Sequence, residues 1–247
     1  MGSEQPFYGL QALGLNRECE PYTRIEDMAS GYIEALRLVQ PEGPYFLGGW
    51  SMGGVVAFEM AQQLQRQSHE VALLAMLDSP APVASNKSRD IDDYDDARML
   101  ANFAINMARS AGKSLSGSVE ELQELEPEEQ LNYFLKQARM SNLVPPDFEL
   151  QQLRCLLKVF KSNVQALRSY IPQAYPNRIN YFQASDNGFN NLNNPALTWD
   201  KFLGKPIETI TIPGNHYTIL TKPHIQVLAE QLNVHLNKAY LGKKISS

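Results

Sequence analysis

The chain has 247 residues, of which 43% are hydrophobic, and its formal net charge is −5 at pH 7. This length and composition are typical of a globular protein with one large core, and the negative charge argues against bulk attraction to nucleic acid or to an anionic membrane. The sequence shows no membrane-spanning run and no secretory signal, and Cys19 and Cys155 lack metal-binding or redox spacing. We therefore expect a cytoplasmic protein with reduced thiols and no metal site.

Short apolar runs that alternate with helical patterns predict a mostly parallel sheet with helices on both faces. The five predicted strands lie near residues 6–11, 44–49, 71–77, 178–184 and 206–212. Between the first two runs, apolar residues spaced three and four apart predict an amphipathic helix. This helix is expected to start at Thr23, with Glu26 three residues later to complete a capping box.

A glycine-rich turn joins the second predicted strand to the helix that follows it. Residues 48–54 read Gly-Gly-Trp-Ser-Met-Gly-Gly and contain a G-x-S-x-G pentapeptide centred on Ser51. Between a strand and a helix, this pattern predicts a strained nucleophile elbow whose flanking glycines let the strand and the helix approach closely. Ser51 would then lie at a helix N-terminus, where the backbone N–H of Met52 can stabilise an oxyanion. The alternative is an ordinary glycine-rich turn.

The alternation of strands and helices breaks after the third predicted strand. Residues 82–172 contain helical patterns only, including a second capping box made by Ser118 and Glu121. We assign residues 1–81 and 173–247 to the α/β core and residues 82–172 to an all-helical insertion. By its position the insertion is a lid, and the alternative is a purely structural helical subdomain.

A serine nucleophile needs a base, which must itself be oriented by an acid. His69 lies in a polar connection, and His224 and His235 lie in a predicted C-terminal helix. His216 instead follows the fifth predicted strand, in a loop at the edge where open α/β sheets bind ligands. We therefore predict that His216 is the base.

Two aspartates that follow predicted strands are candidates for the acid. Asp78 ends the third strand and Asp186 follows the fourth, and both are therefore expected at the edge that carries His216. Either could also be an ordinary residue that closes a strand with an Asx-turn. The residues themselves leave this choice open.

Several segments resemble the C-terminal (type I) thioesterase domain of nonribosomal peptide synthetases and polyketide synthases. The most similar are residues 49–59, 77–79 and 213–217, and weaker matches lie at 5–11 and 161–167. The resemblance implies an α/β-hydrolase fold with a catalytic set of Ser51, His216 and Asp78. It favours Asp78 over Asp186, because in this family the acid follows the strand after the elbow helix.

The resemblance also implies a substrate and a partner. The substrate would be an acyl thioester on the phosphopantetheine arm of an acyl or peptidyl carrier protein, and no bound cofactor would be needed. Water would release the chain from Ser51 as a free acid, whereas an internal amine or hydroxyl would release a macrocycle. A basic side of the third lid helix is a candidate docking face for the anionic carrier, against the alternative of a solvated face. It comprises Arg154, Lys158, Lys161 and Arg168.

The family pattern includes an earlier strand and a glycine-containing loop, which supplies the second N–H of the oxyanion hole. Four residues precede Gln5, where the resemblance begins, so we expect both features to be lacking. The oxyanion would then rest on the Met52 N–H, and the loss of one donor can cost about 10²–10³ in rate. Two alternatives stay open. One is a free-standing carboxylesterase on the same fold, and the other is a non-catalytic truncated fragment, which the missing loop favours.

Overall fold

The computed structural model describes residues 5–15, 19–81, 96–113, 124–186, 199–200, 202–203 and 207–244. The contacts divide the chain into two compact units. The first unit comprises Met1–Leu10, Thr23–Ala84 and Ala166–Ser247, and the second comprises Gln11–Tyr22 and Ser85–Gln165.

A parallel sheet forms the centre of the first unit. Its strands are β1 (Tyr45–Trp50), β2 (Val71–Leu77), β3 (Asn180–Ala184) and β4 (Glu208–Ile212), paired in chain order. Every pairing is parallel, which confirms the predicted sheet. All four carboxyl ends therefore lie at one edge, where the loops that follow the strands can meet.

The strand predicted at residues 6–11 is wrong. None of the described residues in this segment is in a strand, and Phe7 and Tyr8 are 70% and 72% exposed. An apolar run becomes a strand only where a neighbour pairs with its backbone and covers its side chains, and Pro6 lacks a backbone N–H to donate. Within the described residues, β1 pairs with β2 alone.

Helices α1 (Ile25–Val39) and α2 (Met52–Arg66) pack against each other, and α2 also packs on β1 and β2. The capping box predicted for α1 is wrong, because the helix begins at Ile25 and its N-cap is Arg24. The carboxylate of Glu26 pairs with Arg24 at 3.4 Å instead of reaching back toward Thr23. After β4, a short 3₁₀ turn (Thr218–Leu220) leads into the C-terminal helix that the sequence predicts.

Among the described residues of the second unit, the regular elements are all helices, as the sequence predicts. It contains α3 (Asp96–Ser110), α4 (Pro127–Met140) and most of α5 (Leu150–Ser169), and the C-terminal helix of the first unit is α6 (His224–Lys244). The capping box predicted at Ser118 and Glu121 lies outside the described residues. The buried core of the unit is Leu100, Phe103, Ala104, Leu131, Phe134, Leu135, Ala138, Val144, Leu153 and Leu157.

No helix in the described parts of the chain combines the length and the hydrophobicity that a membrane crossing requires.

Candidate active site

Ser51 occupies the turn between β1 and α2 with a backbone that L-amino acids rarely adopt. Its φ is 54° and its ψ is −128°, which is a strained conformation for a residue with a Cβ. The Ser51 N–H donates to the carbonyl of Leu77 at 2.9 Å, and the N–H of Gly54 donates to the carbonyl of Ser51 at 3.0 Å. These bonds hold the predicted sharp turn against the end of β2.

The glycines around Ser51 have unequal roles. A Cβ on Gly49 would lie 2.1 Å from the carbonyl carbon of Gly53, and a Cβ on Gly54 would lie 1.8 Å from Ser79 Oγ. A Cβ on Gly53 would meet nothing within 4 Å. The close approach therefore depends on Gly49 and on Gly54, which lies just outside the pentapeptide, while Gly53 is free of this constraint.

His216 lies in the loop after β4, and Asn215 shapes that loop. The side-chain oxygen of Asn215 accepts the N–H groups of Tyr217 and Thr218, both at 3.0 Å, and the Asn215 N–H donates to Thr218 Oγ1 at 2.8 Å. An Asx-turn of this kind holds a loop without regular structure. It presents the His216 ring toward Ser51 and Asp78.

The His216 ring bridges the serine and the acid. Its Nε2 is 3.1 Å from Ser51 Oγ, and its Nδ1 is 2.7 Å from Asp78 Oδ2. A serine is activated when its hydroxyl lies within hydrogen-bonding distance of a base and that base lies within hydrogen-bonding distance of an acid. The structure thus brings together the three residues that were predicted from positions far apart in the sequence.

Asp78 is only 6% exposed and is held on both carboxylate oxygens. While Oδ2 meets His216, Oδ1 accepts the backbone N–H of Ala184 at 3.0 Å, and the Asp78 N–H donates to the carbonyl of Phe182 at 2.7 Å. Burial raises the pKa of the nearby Tyr181 phenol, and the charge of Asp78 raises it further. The neutral Tyr181 hydroxyl donates to the Ser79 carbonyl at 2.7 Å and so supports the backbone beside the acid.

Asp186, the alternative acid, has a different environment. It is exposed, its carboxylate accepts the Ser185 hydroxyl at 2.8 Å, and its N–H donates to the carbonyl of Gly214 at 2.9 Å. These bonds close the turn after β3. The structure brings Asp78, and not Asp186, to the ring of His216.

The remaining histidines pack against aromatic rings or turns. His69 meets Tyr45 edge-on with centroids 5.9 Å apart, and His235 meets Phe182 in the same way at 5.7 Å. Burial lowers the pKa of His235, and the positive charge of Lys238 lowers it further. His224 begins α6, next to the backbone of Gly214.

Trp50 contacts His216 closely, although no pattern in the sequence pointed to it. The two rings stack with centroids 4.9 Å apart and an interplanar angle of 29°, and Trp50 Nε1–H donates to the His216 carbonyl at 3.0 Å. Tyr217 meets the His216 ring edge-on at 5.1 Å and 87°. The sequence shows that an aromatic residue directly precedes the serine, but it does not show where the ring of that residue points.

Met52 begins α2 directly after the serine. The first N–H groups of a helix have no acceptor within the helix, and the helix dipole favours negative charge beside them. The arrangement therefore brings together a serine hydroxyl, an imidazole, a buried carboxylate and the N-terminus of a helix. Together these groups can carry out acyl transfer at a carbonyl carbon.

A parallel sheet with a serine elbow after one strand, an acid after the next strand and a histidine after the last defines the α/β-hydrolase fold. The chain belongs to the thioesterase domain family, which matches residues 2–236. The fold class and the family resemblance that the sequence predicted are both confirmed.

Similar proteins include large synthases and separate thioesterase domains. The chain is 27% identical over 245 residues to the chondramide synthase cmdD of Chondromyces crocatus, covering 98% of this chain and 6% of the synthase. It superposes with a TM-score of 0.83 and 31% identity on holo-AB3403, a four-domain nonribosomal peptide synthetase bound to AMP and glycine, covering 91% of this chain and 17% of that one.

The fold is also that of the NocB thioesterase domain, which was crystallised as a covalent complex with a fluorophosphonate nocardicin G analog. That superposition has a TM-score of 0.59 and 23% identity, and it covers 92% of this chain and 81% of NocB. The match to cmdD, in contrast, spans only 6% of the length of the synthase.

Proposed function

We propose that the protein is a thioesterase that releases an acyl or peptidyl chain from the phosphopantetheine thioester of a carrier protein. The observation that carries this proposal is the contact of His216 with both Ser51 Oγ and Asp78 Oδ2, at 3.1 and 2.7 Å, in a member of the thioesterase domain family. Similarity to synthases such as cmdD and holo-AB3403 supports the choice of an acyl chain assembled on a carrier.

In the first half-reaction Ser51 Oγ attacks the thioester carbonyl carbon, and its proton passes to His216 Nε2. The carbonyl electrons collect on the oxygen, which the Met52 N–H stabilises at the start of α2. Asp78 stays ionised and stabilises the imidazolium through Nδ1. The intermediate then collapses, the C–S bond breaks, and the departing thiol takes the proton from His216, leaving the acyl chain on Ser51.

In the second half-reaction His216 removes a proton from the incoming nucleophile, which attacks the Ser51 ester. Water yields a free acid, and an amine or hydroxyl within the chain yields a macrocycle. Ser51 regains its proton from His216. The reaction uses no cofactor of this chain, because the phosphopantetheine belongs to the carrier. We assign the helical insertion at residues 82–172 the role of lid. We place the reaction in the cytoplasm, where the free thiols of Cys19 and Cys155 would stay reduced.

We propose the basic side of α5 as the carrier docking face. Within the second unit Arg154 pairs with Glu128, and Lys158 pairs with Glu20 at 2.6 Å. Docking an anionic partner would require these exposed ion pairs to exchange, and pairs of this kind are typically worth only about 0–1 kcal/mol. The pairing therefore weakens the docking face without removing it.

Intact-mass labelling with a serine-directed fluorophosphonate tests the proposed nucleophile, and the covalent complex of NocB with a fluorophosphonate supports the choice of probe. We expect one adduct on the chain, no adduct on Ser51→Ala, and an unchanged adduct on Ser185→Ala, which removes an exposed serine outside the relay of Ser51, His216 and Asp78. A small acyl thioester should then be turned over faster than the matched oxygen ester. The reverse preference would favour a carboxylesterase, and a folded protein without an adduct would favour a non-catalytic fragment.

A further inference from the structure

Trp50 is joined to both halves of the proposed relay. It directly precedes Ser51 in the chain, and its indole ring lies over the ring of His216 at a centroid distance of 4.9 Å. Its Nε1–H also holds the His216 backbone carbonyl at 3.0 Å. One side chain from the elbow therefore contacts the ring and the backbone of a residue that belongs to a different loop.

The stacked face matters because the charge of His216 changes during the proposed reaction. When Ser51 Oγ forms its bond to the carbonyl carbon, the hydroxyl proton moves to His216 Nε2 and the imidazole becomes an imidazolium. An indole face attracts a cation placed within about 6 Å of the ring centroid, and the attraction is stronger where water is partly excluded. The His216 side chain is 30% exposed, so it is largely shielded from water.

This attraction is present after proton transfer and absent before it. An interaction that strengthens only in the transition state raises kcat without tightening substrate binding. The Nε1–H bond acts differently, because it fixes the His216 backbone in the resting protein and so favours the ring position that reaches Ser51. The two contacts would therefore position the base and stabilise its charged form.

We propose that Trp50 is a positioning residue for His216, whose N–H holds the loop and whose ring face stabilises the imidazolium. This inference rests on the proposed function, because the charge arises in catalysis only if His216 serves as the base. Among the described residues, the titratable groups that face the His216 ring are the Asp78 carboxylate after β2 and the Tyr217 phenol in its own loop.

Substitution of Trp50 separates the two contacts. Trp50→Leu removes the face and the N–H, whereas Trp50→Phe keeps an aromatic face and loses only the N–H. With a small acyl thioester we expect kcat of Trp50→Leu to fall about 5- to 30-fold with KM unchanged, the range that one cation–π contact can supply. Trp50→Phe should recover most of that loss. A rise in KM with kcat unchanged in both variants would overturn the proposal.

Fluorinated tryptophan at position 50 provides a matched test without a change of shape. Each added ring fluorine makes the face of the indole less negative, whereas the N–H group and the outline of the ring are retained. We expect log kcat to fall with each added fluorine at position 50 and to stay constant for the same series at position 199. Trp199 is an equally large indole in the same unit, and its ring lies against Phe58 and Phe202. Equal slopes at the two positions would contradict a role for the ring face.

A measurement that needs no turnover distinguishes failure of this inference from failure of the proposed function. The His216 ring can be titrated by ¹⁵N NMR and assigned by its loss in His216→Gln. We expect proton binding by the ring to weaken about 5- to 30-fold in Trp50→Leu and stepwise along the fluorinated series. If fluorophosphonate fails to label Ser51, the thioesterase proposal fails and the titration still decides the role of Trp50. An unchanged titration across the series would overturn the stabilising role.

Discussion

The hydroxyl of Tyr170 donates to the carboxylate of Glu59 at 2.7 Å. Glu59 lies on α2, the helix that begins just after Ser51, and is only 4% exposed, while Tyr170 directly follows the last residue of α5. Arg66 pairs with the same carboxylate at 3.1 Å, and Gln63 donates to it at 3.1 Å. The buried charge on the nucleophile helix is therefore satisfied from several sides, one of which lies at the end of the last helix of the insertion.

Tyr170→Phe should destabilise the protein, because the buried Glu59 carboxylate loses a hydrogen-bond donor that bulk water cannot replace. We expect the free energy of unfolding to fall by about 1–3 kcal/mol at neutral pH, measured by urea denaturation. Tyr240→Phe is the matched control, since Tyr240 is exposed and its hydroxyl loss should change stability by less than about 0.5 kcal/mol. Equal effects of the two substitutions would show that the buried bond contributes nothing.

Alkaline pH should weaken the fold through the same hydroxyl. Burial raises the pKa of Tyr170, and the charge of Glu59 raises it further, above its ordinary value of 10.0. Below pH 10 the folded and unfolded chains both keep the proton, and above it only the unfolded chain releases it, so stability falls as pH rises. We expect the slope above about pH 10 to be shallower in Tyr170→Phe by up to about 1.4 kcal/mol per pH unit. Identical slopes in the two proteins would contradict the raised pKa.

Gly54→Ala and Gly53→Ala should differ sharply, although the two positions are adjacent. The new Cβ at position 54 would lie 1.8 Å from Ser79 Oγ, whereas at position 53 it would meet nothing within 4 Å. We expect Gly54→Ala to lose about 1–3 kcal/mol of stability or to fail to fold, and Gly53→Ala to be neutral or slightly stabilising. Thermal unfolding of both variants measures this difference. A Gly54→Ala protein that is as stable as the unmodified protein and is fully labelled by the fluorophosphonate would refute the argument.

Asp78→Asn and Asp186→Asn test the identity of the acid. Loss of the Asp78 charge removes the partner of His216 Nδ1 and favours the wrong tautomer, so we expect kcat/KM for a small thioester to fall about 10³–10⁴-fold. Asp186→Asn should stay within about threefold of the unmodified protein, because Asp186 closes a turn away from the ring. A larger loss in Asp186→Asn would reverse the assignment.

Charge reversal on α5 tests the docking face. Lys158→Glu with Lys161→Glu should weaken turnover of a carrier-bound acyl group by roughly tenfold and leave a small thioester unaffected, since two charges at a screened surface contribute modestly. Lys136→Glu with Lys238→Glu, two exposed lysines on α4 and α6, changes the net charge by the same amount and is the control. Glu20→Gln releases Lys158 from its ion pair and should strengthen carrier turnover slightly. Equal loss on both substrates would remove the docking role.

The sequence predicted the parts of the site that depend on chain order and strand ends. Ser51, Asp78 and His216 each follow a strand of a parallel sheet, so their convergence at one edge follows from topology. The choice of Asp78 over Asp186 could not be derived in this way, because it depends on where each carboxylate points. Asp78 has a φ of 46° and is turned inward between Ala184 and His216, a backbone detail that no sequence pattern encodes.

Two of the remaining differences concern contacts made by distant parts of the chain. Residues 6–11 have the composition of a strand, but pairing depends on a neighbour and not on composition. Trp50 and His216 are 166 residues apart, and their stacking becomes visible only when both loops are placed. The α1 capping box failed for a local reason, since the helix begins after Arg24 and not after Thr23, which places Glu26 too early in the first turn for a capping box.

Gly54 helps to fix the spacing between Ser51 and Asp78. Its missing side chain lets the first turn of α2 rest on Ser79, which follows the acid directly in the sequence. Rotation of the Ser79 hydroxyl would not remove the conflict, because a Cβ at position 54 would also lie 2.8 Å from the carbonyl oxygen of Gly49 and 2.9 Å from Ser79 Cβ. An atom added at position 54 would therefore displace the turn that carries Ser51 from the strand end that carries Asp78.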